Sequence, residues 1–152
     1  MRYALAAAFL LLSATAGAWD VRSYAFINDD GSLRVRGRTI HLYGILIPPT
    51  AEVCRSSVRP IKCASRAALA LDFKIGPGFV GCYFKDRHAD GSYSGICYAD
   101  GDDLAAYLLE QGWAAAAPGA PPEYVVLENI ARAQDRGLWS IPLGESGPLP
   151  RR

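Results

Sequence analysis

The sequence predicts an α+β protein built as a five-stranded β-barrel of the OB type with three helices. Two observations support this fold. Short runs of alternating apolar and polar residues between turn-forming residues predict strands, and longer runs with apolar residues three and four apart predict helices. The elements follow in the order three strands, one helix, two strands and two helices, which is the order of an OB-type barrel with a helix inserted after its third strand.

The composition is that of an ordinary globular domain. The chain has 152 residues, of which 51% are hydrophobic and 20% charged, and a chain of this length buries roughly two thirds of its unfolded surface. Its 16 Lys and Arg residues are balanced by 15 Asp and Glu residues. This balance excludes a strongly basic nucleic-acid coat protein, so any contact with nucleic acid must be a local site.

Residues 1–18 predict a signal peptide. Arg2 precedes an apolar run at 4–12 that is too short to span a membrane, and small residues at 13–18 supply an A-x-A cleavage site. We therefore expect cleavage before Trp19 and an extracytoplasmic product, periplasmic or secreted, with no membrane span. The alternative is a buried N-terminal helix.

The first three predicted strands lie between residues 22 and 46. Residues 22–27 and 32–36 alternate on either side of the turn-rich tetrad 28–31 and predict a hairpin. The third run, 38–46, stops before Pro48, because proline cannot donate to a strand ladder.

The remaining elements are one helix, two strands and two further helices. We expect a loop at 47–61, a first helix at 63–74, and strands at 79–85 and 93–99.

The last two helices carry their own start and stop signals. Asp102 is expected to cap the second helix, which ends at Gly112, and the third helix is predicted at 122–136. The apolar residues expected to share one face of that helix are Val126, Ile130 and Ala133. The proline- and glycine-rich residues 141–152 predict a disordered tail, which leaves 19–140 as the domain.

The four cysteines predict two disulfides, because the count is even and the chain is expected to be exported. Sequence alone allows three pairings. Pairing neighbours joins Cys54 to Cys63 and Cys82 to Cys97, and antiparallel pairing of the two later strands would bring Cys82 near Cys97. A zinc site is the competing interpretation, but no C-x-x-C pair occurs and neither histidine has a usual ligand spacing.

Several short motifs lie on these elements. In chain order they are DDGSLRV at 29–35, IHLYGI at 40–45, CASRAA at 63–68, DR at 86–87, CYADGDDL at 97–104, QGWA at 111–114 and ENIARAQDRGLW at 128–139. Together they resemble the thermonuclease family, the staphylococcal-nuclease-like domain, over residues 22–140. The two C-terminal motifs are the most specific.

The resemblance implies calcium-assisted cleavage of phosphodiesters. In the family, two aspartates hold the metal, a glutamate is the proposed base for the attacking water, and two arginines stabilise the charged phosphate. A hard divalent ion needs several oxygen ligands, and the developing charge needs planar cations.

This chain departs from that pattern at the acting positions. The metal aspartates fall on Gly31 and Leu46, and the base falls on Pro49. These side chains neither bind calcium nor accept a proton, so we predict that the calcium-dependent activity has been lost. One catalytic arginine falls on His41, and the other falls on Ser92 or Asp90.

Neighbouring carboxylates offer an alternative. Asp30 lies one residue from a lost metal position, and Glu52 lies three residues after Pro49, so a rearranged nuclease site could use this pair. His41 could donate to a phosphate when protonated. Arg87 matches the family motif and is a further weak candidate.

Charge is uneven along the chain. Residues 20–66 hold eight basic and four acidic groups, whereas residues 67–137 hold five and ten. Alternation predicts one face for Arg34, Arg36 and Arg38, which is either an anion-binding stripe or an ordinary solvated surface. Tyr24 and Phe26 are expected to fill the barrel.

The leading functional prediction is an exported, catalytically degenerate barrel kept as a binding or structural module. The alternatives are a weak or altered metal-dependent nuclease and a binder of an acidic polymer such as a polysaccharide. We expect no cofactor, with calcium needed only by the nuclease alternative. The expected partner is single-stranded nucleic acid or another polyanion, and the protein is expected to be a monomer.

Overall fold

The computed structural model describes residues 17–48, 53–55 and 60–140. The strands are β1 (Val21–Ser23), β2 (Ala25–Ile27), β3 (Leu33–Val35), β4 (Arg38–Leu42), β5 (Ile45–Leu46), β6 (Val53–Arg55), β7 (Pro60–Lys62), β8 (Val80–Arg87), β9 (Tyr93–Ala99), β10 (Asp102–Asp103) and β11 (Ala115–Ala116). The helices are α1 (Cys63–Ile75), α2 (Leu104–Glu110), α3 (Pro122–Ala133) and a 3-10 helix (Gly137–Ser140).

Some predictions fall outside the described part. They concern residues 1–16 of the signal peptide, Pro49, Glu52, the side chains of Cys54 and Cys63 with their proposed bridge, and the tail from residue 141. Within the described residues, none of the helices combines the length and the apolar character needed to cross a membrane.

The main sheet closes almost completely on itself. Its strand order is β1-β8-β9-β4-β3-β2, with β10 paired to β9. Only Tyr24 separates β1 from β2, so these are two halves of one bent strand that pairs with β8 at one end and with β3 at the other. Counted this way the barrel has five strands, and with α1, α2 and α3 it confirms the predicted OB-type α+β fold.

The core fills the barrel and the space beneath the helices. Leu33, Val35 and Ile40 are fully buried inside the barrel, and Leu71 and Leu108 bring α1 and α2 onto the same cluster. Each such side chain stabilises the fold by about 1.5–3 kcal/mol relative to exposure. Alternation of these residues with exposed ones explains why short runs predicted the strands correctly.

The predicted bridge between the two later strands is confirmed. Cys82 of β8 lies directly opposite Cys97 of β9, and their sulfur atoms are 2.09 Å apart. Both residues are completely buried. The disulfide therefore joins the two strands of the β8–β9 hairpin at the third residue pair from the end opposite its turn.

The N-terminal end of the described chain is held on the outside of this hairpin. The Asp20 backbone N–H donates to the Cys82 carbonyl at 3.1 Å, and its carboxylate accepts from the Phe84 N–H at 2.7 Å. The Trp19 ring stacks on Tyr83 with 4.5 Å between centroids. Barrel closure thus begins immediately after residue 20.

Two predicted segments differ in detail. The run 38–46 is not one strand, because a turn at Tyr43 and Gly44 separates β4 from β5, and β5 pairs with β11 instead. The predicted loop at 47–61 contains the short antiparallel hairpin β6–β7. Both errors come from strands of two or three residues, which are too short to show alternation.

The cap of α2 is Asp103, not Asp102. Its Oδ1 accepts from the N–H groups of Ala105 and Ala106, and its Oδ2 accepts from the Tyr124 hydroxyl at 2.5 Å. Burial and this hydrogen bond raise the pKa of Tyr124 above its usual range. Asp102 instead pairs with Lys74 of α1. An N-cap hydrogen bond such as that of Asp103 stabilises the helix by about 1 kcal/mol.

The apolar face predicted for α3 is exposed, and the helix buries a different face. Val126 and Ile130 are 55% and 44% exposed, and Ala133 is exposed too. The side chains that turn inward are Tyr124, Glu128 and Ala131. A buried glutamate is invisible to an apolar pattern, because its burial depends on partners that lie elsewhere in the sequence.

Those partners belong to the C-terminal motifs. Glu128 accepts from the Ala116 N–H at 3.0 Å and from the Arg132 guanidinium, which lies 3.9 Å from the Trp139 ring centroid. The Leu138 N–H donates to the Gly112 carbonyl at 2.9 Å. The residues of the two C-terminal motifs, which are the most specific part of the family resemblance, therefore connect α2 to α3.

Candidate functional site

A polar cleft opens at one end of the barrel, between β4, the β8–β9 hairpin and the segment 117–120. It has a volume of about 560 Å³, and we call it the histidine cleft. The polar side chains that define it are His41, Asp86, His88, Asp90, Ser92 and Ser94. A second depression shares His41, Asp90 and Ser92 and extends to Asp30 and Arg38.

Two identical turns frame the cleft. In each, the Oδ1 atom of an aspartate accepts from the N–H of the serine two residues later at 2.9 Å and from its hydroxyl at 2.7 Å, in Asp30–Ser32 and again in Asp90–Ser92. Gly31 and Gly91, between them, have φ values of +80° and +86°, where glycine is favoured. The repeated Asp-Gly-Ser triplet is thus a structural device used twice.

These hydrogen bonds set the acidity of the two carboxyls. Partial burial opposes ionisation of Asp30, but the hydrogen bonds from Ser32 and the field of His41 outweigh it and hold the pKa of Asp30 below its ordinary value. The bonds from Ser92 lower the pKa of Asp90 in the same way. A general base at neutral pH needs a raised pKa, so both carboxylates are poor bases.

The chain's only two histidines meet in the cleft. Their ring centroids are 6.1 Å apart, although the whole of residues 42–87 lies between them in the sequence. His88 Nε2 lies 2.8 Å from the Ser94 hydroxyl. The register places Ser94 next to both His41 and Asp86, on the central strand of three.

His88 and Ser94 are residues that the sequence analysis missed, and Asp86 was noted only as part of the DR motif at 86–87. Asp86 is displaced by the bulge between Phe84 and Asp86, which breaks the alternation of β8. One sequence signal for this region was available, the similarity of the pentapeptides at 28–32 and 88–92. Similar turn sequences at the tips of two hairpins predict that the two turns have the same geometry.

Three cationic side chains of the neighbouring strands lie on aromatic rings, and one of these rings, Tyr43, lines the histidine cleft. Arg38 lies over Phe84 at 5.9 Å, Arg87 over Tyr93 at 5.8 Å, and Lys85 over Tyr43 at 6.0 Å. Phe84 and Tyr93 stack on each other with 4.2 Å between centroids. Such contacts hold a cation in place while leaving its donors available.

The predicted arginine stripe is not a single face. Arg34 lies opposite Thr39 in the β3–β4 hairpin, whereas Arg38 lies opposite the buried Val35, so these two arginines leave opposite faces of the sheet. Arg36 sits in the connecting turn with φ +50°. Alternation cannot be carried through a two-residue turn, and of the three arginines only Arg38 lines the second depression.

The aromatic residues of β1–β2 also differ from prediction. Tyr24 and Phe26 do not fill the barrel but are 61% and 67% exposed. Phe26 pairs across the hairpin with Arg34, which lies over its ring at 5.6 Å. The interior positions of this strand belong to Ala25 and Ile27, which pack against the core.

The positions that the resemblance assigns to calcium ligands have no carboxylate neighbours arranged as a metal site. Gly31 is buried, and a Cβ atom there would lie 2.5 Å from Ile47 Cδ1. Leu46 is 38% exposed and pairs with Ala115. Across the described residues, no three His, Cys, Asp or Glu side chains are placed to hold a metal ion.

Comparison with known proteins adds nothing to this description, since neither a protein-family model nor a curated protein matches the chain.

Proposed function

We propose that this protein is an exported, thermonuclease-like barrel that no longer cleaves phosphodiesters with calcium and that binds an anionic polymer at the histidine cleft. The observation that carries the proposal is the composition of the cleft. Two histidines line it, Arg38 lines the adjoining depression, and Lys85 lies over the Tyr43 ring of its wall. Gly31 and Leu46 stand where the resemblance places metal carboxylates.

Cations beside the two depressions offer contacts to an anionic ligand. Arg38 lines the second depression, and Lys85 and Arg87 lie over the rings of Tyr43 and Tyr93 in the walls, so these three cations equal the carboxylates of Asp30, Asp86 and Asp90 in number. The half-buried ring of Tyr43, which lines the cleft, is suited to stacking on a base or a sugar. Single-stranded nucleic acid is therefore the first ligand to test, with an acidic polysaccharide as the comparison.

The rearranged-nuclease alternative is disfavoured by Asp30. Its Oδ1 accepts two hydrogen bonds from Ser32, and its pKa is lowered. In that alternative Asp30 would be a metal ligand, so Oδ1 would have to exchange these hydrogen bonds for the ion, and across the described residues no three His, Cys, Asp or Glu side chains are placed to hold one.

Export is supported by the N-terminal pattern and by the Cys82–Cys97 bridge, because disulfides persist in oxidising compartments. Oxidised protein recovered from the periplasm or the medium, with Trp19 at its N-terminus, would agree with this part of the proposal. Full-length protein retained in the cytoplasm would contradict it.

Two measurements test the function. Calcium titration by calorimetry, with and without nucleotide, should show no saturable binding, and millimolar calcium should not promote cleavage of single-stranded DNA or RNA above a buffer control. Calcium-dependent cutting that Asp30→Asn abolishes would instead establish the rearranged nuclease.

Binding is measured by fluorescence anisotropy with labelled twelve-residue oligothymidylate and labelled polygalacturonate at pH 5.5 and 8. Lys85→Gln, which removes the cation over the Tyr43 ring of the cleft, should weaken oligothymidylate binding by roughly three- to tenfold at low salt. Arg136→Gln, which removes an exposed cation that donates to the Glu110 carbonyl and lines neither depression, is the matched control. Equal loss in both variants, or preference for the polysaccharide, would reject the nucleic-acid ligand.

A further inference from the structure

Exposed apolar side chains are concentrated on the side of the barrel where β2 faces α1. Eight large hydrophobic residues are exposed in the described part of the chain, and five of them come from the bent first strand, from α1 and from the loop that follows it. They are Tyr24, Phe26, Leu69, Phe73 and Phe79. Phe73 is the most exposed, at 78%.

A groove runs between these elements. It has a volume of about 410 Å³ and is lined by Ala25, Phe26 and Ile27 of β2 and by Ala68 and Leu69 of α1, with Asp29 and Asp72 at its rim. We call it the β2–α1 groove. Tyr24 and Phe79 meet edge to face beside it, 4.4 Å between centroids.

The backbone of β2 presents hydrogen-bonding groups to this groove. The Asn28 N–H donates to the Ser32 carbonyl, so Phe26 and Arg34 form the next hydrogen-bonded pair of the hairpin. The N–H and C=O groups of Ala25 and Ile27 therefore point away from β3. In the part of the chain that the structure describes, β3 is the only strand that pairs with β2.

The rim adds a charge preference. Asp29 and Asp72 are both exposed and line the groove from opposite sides. No cation is among the described residues that line the groove, and Arg34 lies over the Phe26 ring beside it. An incoming lysine or arginine would meet two carboxylates, whereas an acidic residue would be repelled by them.

We infer that the β2–α1 groove binds an extended peptide segment that carries alternating apolar side chains and at least one lysine or arginine. The segment adds to the edge of β2, with its main chain bonded to Ala25 and Ile27. Its apolar side chains lie on Phe26 and Leu69, which line the groove, and on Phe73, one helical turn beyond Leu69. Its basic residue lies between Asp29 and Asp72. This mode of recognition combines backbone pairing, which gives affinity, with side-chain contacts, which give selectivity.

The test uses the full mature chain with its disulfide intact and a synthetic probe, the acetylated and amidated octapeptide of alternating valine and lysine. Calorimetry should detect its binding in the micromolar to sub-millimolar range. The valine–glutamate peptide should bind at least tenfold more weakly, and so should a valine–lysine peptide with N-methylated amides. No binding up to 1 mM, or equal binding of the lysine and glutamate peptides, overturns the inference.

Matched surface variants locate the site. Phe73→Ser removes a contact from an exposed position and should weaken binding at least tenfold, while Val126→Ser, an exposed apolar position on α3, should not change it. A loss of the same size in both variants assigns binding to general hydrophobicity and overturns the inference. Sedimentation velocity at 100 μM tests whether a second copy of this chain occupies the groove instead. A dimer that dissociates in the Phe73→Ser variant would make the groove a contact between two copies, and that result also overturns the inference.

Discussion

Gly31→Asp puts a carboxylate where the family resemblance places a calcium ligand, and we expect it to destabilise the barrel without creating a calcium site. The residue has φ +80°, and its new Cβ atom would lie 2.5 Å from Ile47 Cδ1. A left-handed non-glycine residue costs about 1–2 kcal/mol, and displacing Ile47 adds about 1 kcal/mol. The free energy of unfolding should therefore fall by about 2–3 kcal/mol.

The second Asp-Gly-Ser turn supplies an internal control. Gly91 has φ +86°, and a Cβ atom added there would meet nothing within 4 Å, so Gly91→Asp should show the conformational cost alone. Ile47→Val removes the Cδ1 atom that collides, and in the Gly31→Asp background it should recover about 1 kcal/mol. Urea unfolding measures all four proteins, and calorimetry measures calcium binding. Equal losses for Gly31→Asp and Gly91→Asp would refute the steric argument, and saturable calcium binding by Gly31→Asp alone would refute the functional one.

Three further predictions concern the scaffold. Glu128→Ala should lower the free energy of unfolding by about 2–3 kcal/mol, because it removes a buried acceptor and the partner of Arg132. As a control in the same urea titration, Glu123→Ala at an exposed position should change the free energy of unfolding by less than about 0.5 kcal/mol. Replacing Cys82 and Cys97 together by alanine should cost about 3 kcal/mol for the loop that the bridge closes, and a loss below about 1 kcal/mol would contradict that estimate. The lowered pKa values of Asp30 and Asp90 give stability that is present above the unfolded-state value near 4 and is lost as pH falls through the folded-state values. Urea midpoints measured from pH 6 to 2.5 should therefore drop below about pH 4, and the drop should be smaller in the Asp30→Asn, Asp90→Asn double variant.

The barrel was predictable because buried apolar and exposed polar residues alternate along its strands. Leu33 and Val35 are buried on either side of the exposed Arg34, and Gly or Asp residues mark the turns between runs. The prediction of side-chain direction failed where a turn interrupts the alternation. The turn at Arg36 resets the side-chain direction, so Arg38 faces away from Arg34.

The histidine cleft was less accessible to sequence reasoning. His41 was identified, but His88 and Ser94 reach it only because β4 lies parallel to β9 and because β8 carries a bulge. Neither feature has a local sequence signal. Glu128 illustrates the same limit in the core, since its burial depends on Ala116 and Arg132 together.

The bent first strand has a consequence for the order of folding. Val21 pairs with Cys82, far along the chain, whereas the other half of the same strand pairs with β3 only a few residues away. Loop-closure entropy favours the local hairpins first, including the β8–β9 hairpin that the disulfide joins. Oxidation of Cys82 and Cys97 would then fix the edge on which β1 must land. Closure of the barrel is thus the long-range step, and delayed oxidation of Cys82 and Cys97 would leave β1 without a fixed edge on which to pair.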